Sequence, residues 1–230
     1  PGIDYYQFKK QENVIPQIPP VEVTQQQDTG IKINLKSLII SAPKELQNII
    51  DKEKYYKMTI GVPQSINDLY NIAFEIERDF NEKGYPLVRV ILPVQELEPE
   101  QASVFFKVID GFIEKVDLSK VPKAQTLRTY AYLKPLINKK NMTLKLLERQ
   151  LLLASNSAGL TLTSSLIPGV KEGSTRLVIE AKHKLLSGGI SFDNMQSEQL
   201  GRQQGQANTN INSALGLGET ISLFGLARPT

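Results

Sequence analysis

Few residues in this chain could do chemistry, and their spacing does not suit catalysis. Glu75 and Glu77 lie two apart in a run of helical periodicity, so their side chains do not share a face. Glu96, Glu98 and Glu100 surround Pro99 in a turn-like stretch and read as solvated. General acid–base work needs such groups to converge in a pocket, and neither set does so in sequence. His183 is the single histidine; it precedes Lys184 at the end of a strand-like run, with no serine or cysteine arranged to use it as a base. The chain has no cysteine, which excludes thiolate chemistry, disulfides and cysteine-ligated zinc. Gly216-Leu217-Gly218 precedes a strand-like run and lacks the third glycine of a dinucleotide fingerprint. Lys139-Lys140, near Tyr130 and Tyr132, is a small basic patch, and a net charge of +3 over 230 residues supplies no basic stripe for nucleic acid. The expectation is a protein that is not an enzyme and that uses no cofactor or metal.

The elements around these residues are more informative. Residues 1–30 read as an arm or linker, with Pro16, Pro19 and Pro20 followed by a run of glutamines, and with room for a short helix before Pro16. From Ile31 the chain alternates through Ile33, Leu35, Ser37 and Ile39, the period of a strand. Pro43 to Ile50 reads as a short helix with proline in its first turn. Ser65 and Asp68 form a capping pattern ahead of Ile66, Leu69, Ile72, Ala73, Ile76 and Phe80, one apolar stripe of a long helix. Gly84 and Pro86 end it. Strands follow at Leu87–Leu92 and Val104–Ile109.

The same order then recurs. A strand at Phe112–Leu118 precedes a helix from Ala124 to Leu136 and a second helix capped by Thr143, with Leu144, Leu147, Leu151 and Ala154 at helical spacing. Gly159 stops that helix as Gly84 stops the first, and strands follow at Leu160–Ser165 and Thr175–Ala181. The fold class expected is α+β: two tandem β-α-α-β-β modules, over 31–111 and 112–185, each a three-stranded sheet with two helices on one face. One larger α+β domain is the alternative. Small sheets expose edges that template an added strand, and the edge candidates are Leu87–Leu92 and Leu160–Ser165, each beside a helix. The competing reading is that the neighbouring module or the linker covers them.

After His183 the composition shifts. Residues 186–230 alternate in long polar and apolar runs, with a tight turn at Leu215–Thr220 and a clear alternation over Ile221–Leu226. This fits either the opening strands of a transmembrane β-barrel or a surface hairpin. No run reaches the roughly 18 apolar residues of a membrane-spanning helix. The first residue, Pro1, is not followed by a charged-then-apolar leader, so the chain is expected to be cytosolic or to have had a signal peptide removed.

Several motifs carry a family likeness. In the second module they are Leu147-Glu148-Arg149-Gln150-Leu151-Leu152-Leu153, Ala158-Gly159-Leu160 and Leu166-Ile167-Pro168-Gly169. In the first they are Lys83-Gly84-Tyr85-Pro86-Leu87-Val88 and the run from Val108 to Val116. In the tail they are Ser191-Phe192-Asp193-Asn194, Gly201-Arg202 and Leu215-Gly216-Leu217-Gly218-Glu219. In this order they resemble the POTRA (polypeptide-transport-associated) domains and barrel start of two-partner secretion transporters, the hemolysin and filamentous-hemagglutinin secretion proteins of Gram-negative outer membranes. The chain departs from that pattern at Ala158-Gly159, where Pro-Gly is frequent, and at Met195-Gln196, where glycine usually follows Asp-Asn.

The resemblance implies an outer-membrane protein whose region seen here is mostly periplasmic. Its implied partner is a secreted exoprotein, bound through its N-terminal secretion domain and delivered to the barrel, without nucleotide or metal. Leu87, Arg89, Ile91, Leu160, Leu162 and Ser164 are the expected edge-strand contacts, with Tyr70 and Tyr85 as groove anchors. The family's gating loop and barrel arginine match no residue here. Two other readings stay open: the POTRA region of an outer-membrane assembly factor, and a soluble adaptor. The fragment's exposed strands could also pair with a second copy.

Overall fold

The computed structural model describes Pro16, residues 32–193 and residues 204–227. The expected arm and the Asn194 and Gly201-Arg202 motifs lie outside these residues, Pro16 excepted.

The first module begins with β1 (Ile33–Ser41) and α1 (Lys44–Gln47), followed by α2 (Lys52–Thr59), the two-residue β2 (Pro63–Gln64) and α3 (Ile66–Glu82). It ends with β3 (Arg89–Ile91) and β4 (Ala102–Ile109). The sheet order is β2-β1-β4-β3, with β1 parallel to β4 and β3 antiparallel to it. The second module comprises β5 (Phe112–Lys120), α4 (Lys123–Leu133), a 3₁₀ turn over Lys134–Leu136, α5 (Leu144–Ser155), β6 (Leu160–Pro168) and β7 (Ser174–His183). Its sheet order is β5-β7-β6, with β5 parallel to β7 and β6 antiparallel to it. In both modules the first strand therefore lies beside the last, and the middle strand forms an edge. The two units share this order of first, middle and last strands despite their weak residue identity, but the first departs from the expected three-stranded, two-helix unit: β2 adds a fourth strand beside β1, and the unit holds three helices.

Local chemistry explains most of these boundaries. Ser65 accepts from the Asp68 N–H at 3.1 Å, and the Asp68 carboxylate accepts from the Ser65 N–H at 2.8 Å, which closes a capping box. Leu69, Ile72, Ala73, Ile76 and Phe80 are buried along the stripe that follows. Gly84 (φ 88°) and Gly159 (φ 70°) end the long helices in the left-handed region that glycine enters without steric cost.

Four details depart from expectation. Pro43 precedes α1 instead of opening it, and α1 is a single turn. The whole of α2 is additional to the expected elements; only Tyr55 and Thr59 of it are buried, a stripe too narrow to stand out among its lysines. In β1 the alternation breaks at a register shift between Leu35 and Ser37. Ile33 and Leu35 face the core, but beyond the shift Ile40 is buried and Ile39 is exposed, because one extra residue exchanges the two faces of a strand. Finally, α4 stops at Leu133 and the chain tightens into the 3₁₀ turn containing Pro135.

The remaining strands, β8 (Leu186–Asp193), β9 (Gln204–Asn212) and β10 (Thr220–Ala227), form an antiparallel sheet in the order β10-β9-β8. The modules have separate hydrophobic cores, and this sheet belongs to neither.

Candidate functional site

The catalytic candidates fall into structural roles. Glu75 pairs with Arg78 at 2.5 Å. Glu96, Glu98 and Glu100 are exposed. Among the described residues no acidic or histidine cluster could hold a metal ion. His183 is half-buried rather than fully solvated. Lys140 sits over the Phe112 ring, 4.7 Å from its centre, which gives the small basic patch a packing role.

The candidate contact residues divide between edge and core. Leu87 is buried, and it belongs to the core of the second module, across the junction from its own sheet. Leu160 and Leu162 are also buried. These three side chains face inward, so none of them is a surface contact. Arg89 and Ile91 on β3 are half-buried, as are Tyr70 on α3, Tyr85 after it and Ser164 on β6. Both β3 and β6 do lie at sheet edges.

Residues that sequence reasoning missed alter the β3 edge. Glu77 lies seven residues after Tyr70, on the same side of α3. Its Oε1 accepts a hydrogen bond from the Val90 N–H at 2.6 Å, and its other oxygen lies 3.9 Å from Arg89. Burial raises the Glu77 carboxyl above its ordinary range, with the Val90 N–H and Arg89 opposing that shift. The Val88 N–H reaches the Tyr85 carbonyl at 3.4 Å, and Arg89 donates to the Val88 carbonyl at 3.3 Å. Past β3, the Gln95 side chain both donates to and accepts from the Phe105 backbone, at 3.1 and 2.9 Å. Much of this edge is thus already hydrogen-bonded. The signal for it in the sequence is an acidic residue beside the apolar stripe of a helix, next to Ile76 and four residues after Ala73.

The modules meet through backbone. The Leu144 N–H donates to the Gly84 carbonyl at 2.8 Å, and the Asp110 carboxylate accepts from the Asn141 N–H at 3.0 Å. A Cβ at Gly111 would overlap the Leu87 carbonyl. The tail sheet is fastened in a similar way. Buried Gln125 on α4 donates to the carbonyl and hydroxyl of Ser213, at 3.2 and 3.1 Å. The Glu219 carboxylate accepts from the Leu215 and Leu217 N–H groups, and these bonds hold it below the usual carboxylate range. A Cβ at Gly216 would strike the Ala124 carbonyl.

The tail sheet has two unlike faces. Strand register places Leu186, Ile190 and Phe192 on the same face as Ala207 and Ile211, and as Ile221 and Leu223. These side chains are not covered: Phe192 is 86% exposed and Ile190 74%. The opposite face carries Ser187, Ser191, Gln206, Asn208, Asn210 and Ser222, with Phe224 and Leu226 at one corner. No helix among the described residues is long and apolar enough to cross a membrane.

No protein-family model matches the chain. It is 26% identical over 203 residues to the heme/hemopexin transporter protein HuxB of Haemophilus influenzae strain Rd, covering 87% of this chain and 36% of that protein. The HuxB of strain 86-028NP is 27% identical over 169 residues, covering 73% of this chain and 30% of that protein. The chain thus spans about a third of the length of these relatives. Among solved structures, CdiB from Escherichia coli superposes with a TM-score of 0.60 at 15% identity, covering 94% of this chain and 41% of that one. CdiB from Acinetobacter baumannii gives 0.54 at 17% identity, covering 93% and 42%. The doubled topology and the comparisons agree: over most of its length the chain is similar to the transporter protein HuxB, and it shares the fold of the corresponding part of the CdiB structures.

Proposed function

We propose that this region recognises the N-terminal secretion domain of a secreted exoprotein in the periplasm and delivers it to a barrel that begins with β8, β9 and β10. On this reading residues 31–111 and 112–185 are the two POTRA domains, and 186–230 opens the barrel. The observation that carries it is the tail sheet: one face is apolar and exposed, the other is polar apart from Phe224 and Leu226, and the sheet is tied to α4 through Gln125 and Ser213. An apolar outer face and a polar inner face are what a barrel wall needs in lipid. The likeness to a heme/hemopexin transporter protein supports a transport role.

Recognition would use strand addition and the neighbouring grooves, with no catalysis or cofactor. On the first module, where Glu77 already occupies the Val90 N–H, Arg89, Ile91, Tyr70 and Tyr85 are candidate side-chain contacts of a groove rather than of an added strand. Ser164, with the backbone of the strand holding Leu160 and Leu162, is the candidate on the second; Leu87 would act by joining the modules.

The test is secretion of the partner exoprotein by cells carrying the full-length transporter, with and without residues 31–185, together with fractionation of the membranes. Secretion should stop while the barrel remains in the outer membrane. Unchanged secretion, or recovery of the full-length protein in the soluble fraction, would refute the reading.

A further inference from the structure

The net charge of the chain is small, but its cations are not evenly spread. Between Asp117 and Glu148 there are seven lysines and arginines and no carboxylate, against a net charge of +3 for the whole chain. Helix α4 runs through this stretch. Gln125, Thr129 and Leu133 form its buried side. Lys123, Leu127, Tyr130 and Lys134 fall on the opposite side, at the spacing of one helical face, and all four are exposed. Leu127 is 82% exposed.

The turn between β9 and β10 lies against the same helix. Gly216 sits beside the Ala124 carbonyl, and Gly218 beside the Arg128 guanidinium. Leu215 and Leu217, which alternate with these glycines, are exposed. Ile211 and Ile221, paired across the two strands that the turn joins, lie on the apolar face of the tail sheet. The leucines of the turn therefore extend that apolar surface toward α4. The lysines at either end of the α4 face are uncommitted. Among the described residues Lys123 and Lys134 form no ion pair, whereas Lys120 is held by Glu180 and Arg128 donates to the Asn156 carbonyl at 2.7 Å.

We infer that α4 and the β9–β10 turn form a foot that rests on an anionic phospholipid surface. Leu127, Tyr130, Leu215 and Leu217 enter the boundary between headgroups and acyl chains, and Lys123 and Lys134 meet the headgroup phosphates. Apolar burial and attraction to anionic lipid reinforce one another in such a surface. Lysine suits its margins, since the stem lies along apolar surface while the ammonium stays in water. Tyrosine suits its depth, with an apolar ring and a wet hydroxyl. An acidic protein segment would engage the lysines but leave the three leucines in water, whereas lipid accounts for both. The inference rests on the proposed function for the place of the turn, which a barrel beginning with β8 would hold at the margin of the bilayer.

The chain has no cysteine, so one dye can be placed at one site. Leu127→Cys carries an environment-sensitive fluorophore, and Thr161→Cys, exposed on β6, is the control. Each is titrated with vesicles of equimolar phosphatidylglycerol and phosphatidylcholine, and with vesicles of phosphatidylcholine alone. Emission from position 127 should shift to the blue on the anionic vesicles, and emission from position 161 should not. The Lys123→Gln, Lys134→Gln double variant should bind the anionic vesicles about thirtyfold more weakly, the effect of removing two cations from such a surface. Both side chains are exposed, so the variant should melt as the parent does. An unshifted dye at 127, equal binding to both kinds of vesicle, unchanged affinity in the double variant, or no binding would overturn the inference. Binding of polyglutamate in place of vesicles would overturn it in favour of an acidic protein partner. Heat-modifiable migration of the full-length transporter tests the proposed function separately. Insertion of the barrel with position 127 still in water removes the foot and leaves that reading standing. Failure to insert removes that reading, and the vesicle titration then decides the foot alone.

Discussion

Leu87→Ala should destabilise the second module although residue 87 lies in the first. Leu87 is 2% exposed and packs in the core with Ile113, Leu147 and Leu151, whereas its neighbour Val88 packs in the first core. Truncating a buried leucine costs about 3 kcal/mol, the lost transfer free energy plus the residual cavity. That corresponds to a fall in the Tm of that module of about 12–24 °C, the scale for a unit of 60–100 residues. Hydrogen exchange gives the sharper assay. Amides of α5 that exchange by unfolding of the second module should speed up about a hundredfold, while those of α3 change little. Val88→Ala should reverse the pattern. If Leu87→Ala accelerated α3 and left α5 protected, the assignment of Leu87 across the junction would be refuted.

Gly111→Ala should lower the yield of folded protein or loosen the junction, because the new methyl meets the Leu87 carbonyl; thermal melts and exchange at the Leu144 amide would show it. Gln125→Ala should cost about 1–3 kcal/mol, the penalty for stranding a buried partner, and urea unfolding would measure it. Ile190→Arg, on the apolar face of the tail sheet, should impair outer-membrane insertion of the full-length protein, by about 2–4 kcal/mol if the site lies near the bilayer midplane, as read by heat-modifiable migration after membrane extraction. Acid should weaken the first module through Asp79. Partial burial opposes its ionisation, but hydrogen bonds from Lys54 and Tyr55 prevail and hold its carboxyl below the ordinary value. Its contribution is therefore present above the unfolded value and lost as pH falls through the lower folded one. Asp79→Asn should be less stable at neutral pH and should flatten that acid limb in denaturant titrations.

The sequence shows α3 almost completely, because its cap, stripe and terminal glycine are local signals that agree with one another. It shows the repeat for the same reason. The features it hides depend on long-range geometry. Helix α2 buries two residues against a sheet from which the chain has already departed, so no periodicity announces it. The register shift after Leu35 reverses which of Ile39 and Ile40 is inside, and no turn residue marks it. Leu87 reads as an edge residue because alternation gives a side but not the module that waits on that side. The candidate site was legible to the same degree: the edge position of β3 follows from the order of elements, but its closure by Glu77 depends on a residue thirteen positions away. The unlike faces of the tail sheet were visible as alternation and needed strand register to become surfaces.

The backbone junction at Gly111 has a consequence for kinetics. A flexible hinge between modules would let a second contact search a large volume after the first had formed. Here the carbonyl of Leu87 abuts Gly111, and the Leu144 N–H is bonded to Gly84, so the separation of the two modules is set during folding. A polypeptide held on one module would then meet the other at a fixed distance and orientation, as two sites of a single ruler. On the proposed function, the gain would be an effective concentration set before binding, reaching only segments whose contour matches that distance. Lengthening the junction should therefore slow capture of a bivalent cargo more than it weakens either contact alone.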